Sequence, residues 1–256
     1  NNMKKNIYII GGNGLIGSAF LNLYSKNDVN IFVLDLVKVK NDKKNFIKNI
    51  IFDCSKMEKN EKKLKDIFIK YGEPDILINC SYPVTKDWHK STFQKIKYPS
   101  FKKNIEIHLN SYCWIAKIFA DRMVLKNKPG NIVLLSSIYG IVAQNEENYK
   151  GTSMSLNMIY PIIKSGIIGF VKQSASYYGK KKIRINTLCP GAILGHVKGS
   201  QNTQNAKFIK KFSANVPLKR LANAKEIASV LKFLISDNSS YITGQAIIAD
   251  GGYTVV

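Results

Sequence analysis

The chain has 256 residues, 45% hydrophobic and 22% charged, which suits one large globular domain or two small ones. No run of about 18 apolar residues occurs, which argues against a membrane-spanning helix, and the N-terminus lacks the charged, then apolar, then small pattern of a secretion signal. The formal net charge of +22 invites a nucleic-acid partner, but the lysines are spread along the whole chain among many Asn and Ile, so the charge reads as a general bias that favours an anionic ligand.

Residues 6–10 form a short β-branched apolar run, a buried strand by pattern. It runs into Gly11-Gly12-Asn13-Gly14-Leu15-Ile16-Gly17, and a helical pattern follows to about Lys26. Gly11, Gly14 and Gly17 thus lie between a strand and a helix, the context of a dinucleotide-binding loop. The first glycine permits the turn, the second the approach of a pyrophosphate, and the third close helix–strand packing. The N–H groups that open the helix face the phosphates. A second strand, residues 30–34, ends at Asp35, where an acid accepts hydrogen bonds from the adenosine ribose and repels a 2′-phosphate. NAD is therefore expected ahead of NADP, with Lys38 and Lys40 close enough to soften the choice.

A third apolar run, Phe46 to Phe52, ends in Asp53-Cys54, and an amphipathic helix is expected from about Lys56 to Tyr71. Residues 74–79 read as strand four. The alternation predicts a parallel sheet with helices on both faces. Residues 82–104 are basic and aromatic, and they follow a strand end where ligand loops of open α/β sheets lie. A long helix is expected over about 101–126, then strand five at 131–135, ending at Ser136-Ser137. Pro161 fits only near a helix start, so the next helix should run from about Met158 to Tyr178. Strand six spans Lys182 to Leu188 and leads into Cys189-Pro190-Gly191. Residues 192–215 read as a polar, mobile loop, followed by a helix over about 223–236 and a last strand at 245–249. No repeat or linker interrupts this order, so one domain, 1–256, is expected, with substrate loops at about 82–104, 138–159 and 192–215. The four cysteines, Cys54, Cys80, Cys113 and Cys189, lack metal or redox spacing and read as reduced, buried thiols of a cytoplasmic protein with no metal site.

Tyr160 and Lys164 are four residues apart, on one face of the expected helix. A fixed cation favours phenolate, so Lys164 is expected to pull the Tyr160 pKa down from its usual ~10. A tyrosine so tuned can exchange a proton at an alcohol or carbonyl centre.

Together these motifs resemble the short-chain dehydrogenase/reductase family, classical type, across essentially the whole chain. The resemblance rests on the Gly11–Gly17 loop, Asp35, Asp53, Asn79-Cys80-Ser81-Tyr82, Ser136-Ser137, Tyr160 with Lys164, Asn186 with Pro190-Gly191, and Ile242-Thr243-Gly244-Gln245 with Asp250-Gly251-Gly252. A closer similarity, to the bacterial flagellin- and surface-sugar-modification branch, rests on Ser81-Tyr82-Pro83, Ser136 to Gly140 and Gly151 to Met154. The resemblance implies a doubly wound Rossmann fold with a seven-stranded parallel sheet. It implies hydride transfer between NAD(P) and an alcohol/ketone carbon, with a sugar derivative as the leading substrate, anionic or sugar-like, and a homo-dimer or homo-tetramer built on the two long helices. It implies that Ser137 polarises the substrate oxygen, Tyr160 is the acid/base, and Lys164 tunes Tyr160 and holds the nicotinamide ribose. Asp53 and Cys54 would meet the adenine; Asn79, Cys80 and Ser81 the ribose; Pro190, Gly191 and Ile193 the nicotinamide.

Three departures from the family pattern stand out. The glycine spacing G-x-x-G-x-x-G belongs to the extended, sugar-nucleotide-modifying relatives, although the short chain and its ending are of the classical type. The position of the usual relay asparagine holds His108, with Asn110 as the alternative. Ser137 and Tyr160 are further apart than usual, and Tyr149, nearer the usual spacing, lacks a lysine four residues on. Rival readings are a 3-oxoacyl thioester reductase, a catalytically silent cofactor-binding scaffold, and a nucleic-acid-binding protein using residues 82–104.

Overall fold

The computed structural model describes residues 4–24, 29–38, 45–152, 154–195 and 204–256. In chain order it contains β1 (Lys5–Ile10), α1 (Leu15–Asn22), β2 (Val29–Asp35), β3 (Ile47–Ile51), α2 (Met57–Tyr71) and β4 (Ile76–Asn79). There follow α3 (Tyr98–Asn104), α4 (Ser111–Leu125), β5 (Gly130–Leu135), α5 (Ile159–Tyr178), β6 (Ile183–Pro190), α6 (Ala206–Ala214), α7 (Ala224–Leu234) and β7 (Ala246–Ala249). The strands form one seven-stranded sheet in the order β3-β2-β1-β4-β5-β6-β7, and every pairing is parallel. This is a single-domain, doubly wound Rossmann fold.

Strand alternation sorts the core onto two faces. Tyr8, Ile10, Phe32 and Leu34 pack with residues of α2, α4 and α5. Ile7, Ile9, Ile31 and Val33 pack on the other face with α1 and α7. Tyr8 lies at the centre of an aromatic group with Phe32, Phe68 and Phe119, and its hydroxyl donates to Gly72 O at 2.6 Å. Burying each such ring is worth roughly 1.5–3 kcal/mol relative to exposing it.

Two segments differ from the sequence expectation. The long helix begins at Tyr98, with Pro99 in its first turn where no N–H is required, and it widens to a π-helical turn over Ile105–Asn110 before continuing as α4. The stretch expected as a polar loop at 192–215 contains α6. Asn205 caps α6 by accepting from the N–H groups of Lys207 and Phe208, and Phe208 and Phe212, one turn apart, are buried. The part of that loop at 196–203, and Lys40, lie outside the described residues.

Candidate active site

The sheet order reverses between β1 and β4, and the strand ends there carry the glycine loop, Asp35 and Asn79. Gly11 has φ +72°, and a Cβ on it would lie 2.6 Å from Ser81 Cα. A Cβ on Gly17 would lie 2.6 Å from Gly12 Cα, so helix α1 packs on the loop only because Gly17 has none. Asn13, buried, donates through its backbone N–H to Asp35 Oδ2 at 3.0 Å and through its amide to Val37 O. The Asp35 carboxylate is thus tied to the loop. Gly14 caps α1 without a side-chain bond, leaving the first N–H groups of the helix to face outward.

Beside the loop, Asn79 Oδ1 accepts from the Ser81 N–H and hydroxyl at 3.1 and 2.7 Å. Its Nδ2 is buried without a partner. Tyr112 fixes the same turn by donating to Ser81 O at 2.6 Å. Asp53 accepts from Ser55 and pairs with Lys56 at 3.0 Å. The glycine cradle, the open helix start and the orphaned Asn79 amide fit a bound dinucleotide. Of the thiols, only Cys189 is fully buried, and all four are free. Burial pushes Cys80 up to about 12 and Cys54 up to about 11, so neither is a thiolate near neutral pH. Among the described residues no cluster of metal-ligating side chains occurs, and no helix is long and apolar enough to cross a membrane.

Ser137 lies two residues beyond the end of β5, and Tyr160 lies in the first turn of α5. The Ser137 hydroxyl oxygen accepts from the Tyr139 N–H at 3.2 Å, and its side chain is near enough to the Tyr160 phenol to favour the phenolate. Asn157 caps α5 by accepting from the Ile159 and Tyr160 N–H groups at 3.0 and 2.8 Å, which orients Tyr160. One turn on, Lys164 is only 2% exposed; its ammonium donates to Leu135 O at 3.0 Å and lies 3.4 Å from His108 Nε2. His108 sits inside the π-helical turn, fully buried, with Nδ1 unpartnered.

The electrostatics correct one expectation. Burial pushes the Tyr160 phenol up to about 12 against the opposing pull of the Ser137 side chain; it is not pulled down by Lys164. Burial also pulls Lys164 itself down to about 7, so near neutral pH it carries only part of a charge. Burial, then Lys164, holds His108 well below the usual imidazole range and therefore neutral.

The cleft above this cluster encloses about 480 Å³. Each of the three expected substrate loops contributes to it, through Tyr82, Trp88 and Thr92, through Tyr139, Gln144 and Tyr149, and through Ala192 and Phe208. Gly191 and Ile193 line the same cleft. Its described wall contains no Lys, Arg, Asp or Glu, so the expected anionic substrate finds no fixed counter-charge there. Sequence reasoning passed over Tyr139, Gln144, Tyr149 and Phe208 as site residues. The signal was available for Phe208, whose spacing to Phe212 is helical behind an asparagine cap.

A parallel sheet with a dinucleotide cradle at its switch point, opening on a cleft lined by Ser137 and Tyr160 with Lys164 buried behind them, defines a nucleotide-cofactor oxidoreductase. A family model described as enoyl-(acyl carrier protein) reductase matches residues 33–254. The chain is 31% identical to post-translational flagellin modification protein A of Campylobacter coli, over 98% of each chain. It is equally 31% identical to a 3-oxoacyl-(acyl-carrier-protein) reductase of Buchnera aphidicola, over 97% of each. A short-chain dehydrogenase of Leptospira borgpetersenii, solved with bound NAD+, superposes with a TM-score of 0.86 at 27% identity, covering 98% of this chain and 93% of that one. The chain belongs to the short-chain dehydrogenase/reductase family. It is a dehydrogenase/reductase that works on a small molecule with a nicotinamide cofactor.

Proposed function

We propose that this chain interconverts an alcohol and a ketone on a sugar derivative, using NAD, in the synthesis of a surface polysaccharide or flagellin glycan. The observation that carries the chemistry is that Ser137 and Tyr160 line one cleft, with Lys164 buried one turn away. Ser137 holds the substrate oxygen and donates to it as negative charge develops. Tyr160 takes the hydroxyl proton in oxidation and returns it in reduction. Lys164 replenishes that proton, and His108, in contact with it, is the next group inward. The cofactor, when bound, accepts or supplies the hydride.

The cofactor would lie along the Gly11–Gly17 loop, with Leu15 and Ile16 N–H groups at its phosphates. Asp53 and Cys54 would border the adenine, Asn79 to Ser81 the adjoining ribose, and Pro190, Gly191 and Ile193 the nicotinamide. Asp35 at the ribose position supports NAD over NADP, because a carboxylate tied to the loop cannot swing away from a 2′-phosphate. The sugar assignment is supported by similarity to the flagellin modification protein and by a cleft wall of aromatic rings and amides without ionic groups. The equally similar thioester reductase leaves that activity as the second reading. Exposed Trp114 on α4 and Ile162 on α5 support a homo-oligomer joined through these helices. The test is NADH formation from a panel of sugars and sugar nucleotides by the native chain and Tyr160→Phe. Turnover that survives in Tyr160→Phe would remove the assignment.

A further inference from the structure

The cleft contains a hydrogen-bonded chain that the chemistry above does not use. It starts at the cap of α5, where the Asn157 N–H donates to Gln144 Oε1 at 2.8 Å. That bond fixes the Gln144 amide: with its oxygen toward Asn157, its Nε2 faces Tyr149 and donates to the phenol oxygen at 3.2 Å. The Tyr149 and Tyr139 hydroxyls are 3.1 Å apart. An amide NH₂ cannot accept a hydrogen bond. The two phenols therefore hold two O–H donors between them, and their mutual bond uses only one. Whichever phenol donates to the other, one O–H is left over.

Both phenols line the cleft, and the Tyr139 ring centroid is 6.4 Å from that of Tyr160. The leftover donor therefore lies beside the group that meets the reacting oxygen. No carboxylate on the described wall can take it. A donor in a partly dry site, already polarised by the amide behind it, is matched by a neutral oxygen on the ligand. We propose that Tyr139 and Tyr149 read a second hydroxyl on the substrate ring, so that the site selects cyclic polyols over cyclic mono-alcohols. The inference rests on the dehydrogenase reading for the position of the reacting carbon.

Cyclohexanol, cyclohexane-1,2-diol and cyclohexane-1,3-diol test it, since they share a ring and differ by one hydroxyl. With NAD, the better diol should exceed cyclohexanol in kcat/KM by about 10–100-fold. In the double variant carrying Tyr139→Phe and Tyr149→Phe the ratio should fall toward one, because no phenol O–H is left, whereas either change alone still leaves one O–H free for the diol. Gln144→Glu separates this from lost packing. A carboxylate accepts where the amide donated, so Tyr149 turns its proton toward it and the Tyr139 proton is drawn to Tyr149. Every ring stays in place, yet the diol preference should fall. A ratio near one in the native chain, or one unchanged in the double variant and in Gln144→Glu, overturns the inference. Saturation-transfer NMR of the same compounds with NAD present distinguishes the two failures. Diols that bind in preference, lose that preference in Gln144→Glu, and are never oxidised would end the dehydrogenase reading and leave this one standing. Binding without preference would end this one.

Discussion

Replacing Lys164 by Met should stabilise the folded chain while abolishing turnover. Lys164 is buried with no carboxylate partner among the described residues; its ammonium meets Leu135 O at 3.0 Å and His108 Nε2 at 3.4 Å, with the rings of Tyr82, Tyr112 and Tyr160 at 5.9, 5.3 and 5.5 Å. Burial takes its pKa from the usual 10.5 to about 7. At about 1.4 kcal/mol per pKa unit, holding the proton in the folded state costs about 5 kcal/mol. Methionine is of similar length and carries no charge, so it recovers that cost. It also orphans the Leu135 carbonyl, at about 1–3 kcal/mol. The net gain is therefore about 2–4 kcal/mol near pH 6. The folded pKa lies below the unfolded one. Below pH about 7 both states are protonated and the penalty is full and constant. Between about 7 and 10.5 only the unfolded state holds the proton, so the stability of the native chain rises with pH and the advantage of Met shrinks. Urea denaturation of both proteins at pH 6 and at pH 9.5 measures this. A Lys164→Met chain less stable than the native one at pH 6, or a gap that does not narrow at pH 9.5, would refute the reasoning.

Tyr160→Phe should lower kcat by about 10²–10⁴-fold with NAD affinity nearly intact, and Ser137→Ala by about 10²–10³-fold; steady-state kinetics with calorimetry of NAD checks both, and activity lost in Tyr149→Phe but kept in Tyr160→Phe would move the acid/base to Tyr149. Asp35→Ser should narrow the preference for NAD over NADP by removing the charge that opposes the 2′-phosphate, and a calorimetric preference that does not change would show that Asp35 does not set it. Light scattering at micromolar concentration should give a dimer or tetramer mass; a monomer mass would leave exposed Trp114 and Ile162 without a reason.

What the sequence made legible depended on how local the cause was. Gly11 and Gly17 could be placed because a strand, a turn and a helix within one short stretch leave no room for a Cβ, and the structure puts those virtual atoms 2.6 Å from backbone. The continuous apolar runs of β1 and β2 were equally readable, because each strand is buried on both faces. Helix α6 was missed because Lys207, Lys210 and Lys211 surround the buried pair Phe208 and Phe212, so mean polarity hid the periodicity. The π-helical turn was not readable, since nothing in Ile105–Asn110 marks the extra residue per turn; it places His108 against Lys164. Tyr149 was set aside because it lacks a lysine four residues on, a rule about one role only. Its place in the cleft depends on contacts with Gln144 and Tyr139 that exist only in three dimensions.

The largest correction, the pKa of Tyr160, follows the same logic. A spacing of four residues says that a phenol and an ammonium share a helix face; it says nothing of how much water either one keeps. In the folded chain burial acts on both groups and favours the uncharged form of each, so the phenol rises to about 12 and the ammonium falls to about 7. Their attraction is greatest only when both are charged, and burial opposes both charges. A neutral phenol is already the acid that ketone reduction requires, whereas alcohol oxidation requires the phenolate. Any group that supplies polar partners to Lys164 offsets its desolvation, restores its charge and so lowers the cost of the phenolate. His108 cannot be that group, because it is itself held neutral and offers Lys164 only one nitrogen, at 3.4 Å. The partner must come from the open side of the site, where the ribose of the cofactor would lie. On the proposed reading, cofactor binding would itself arm Tyr160, and that would give Lys164 a use at a position where Met should make a more stable protein.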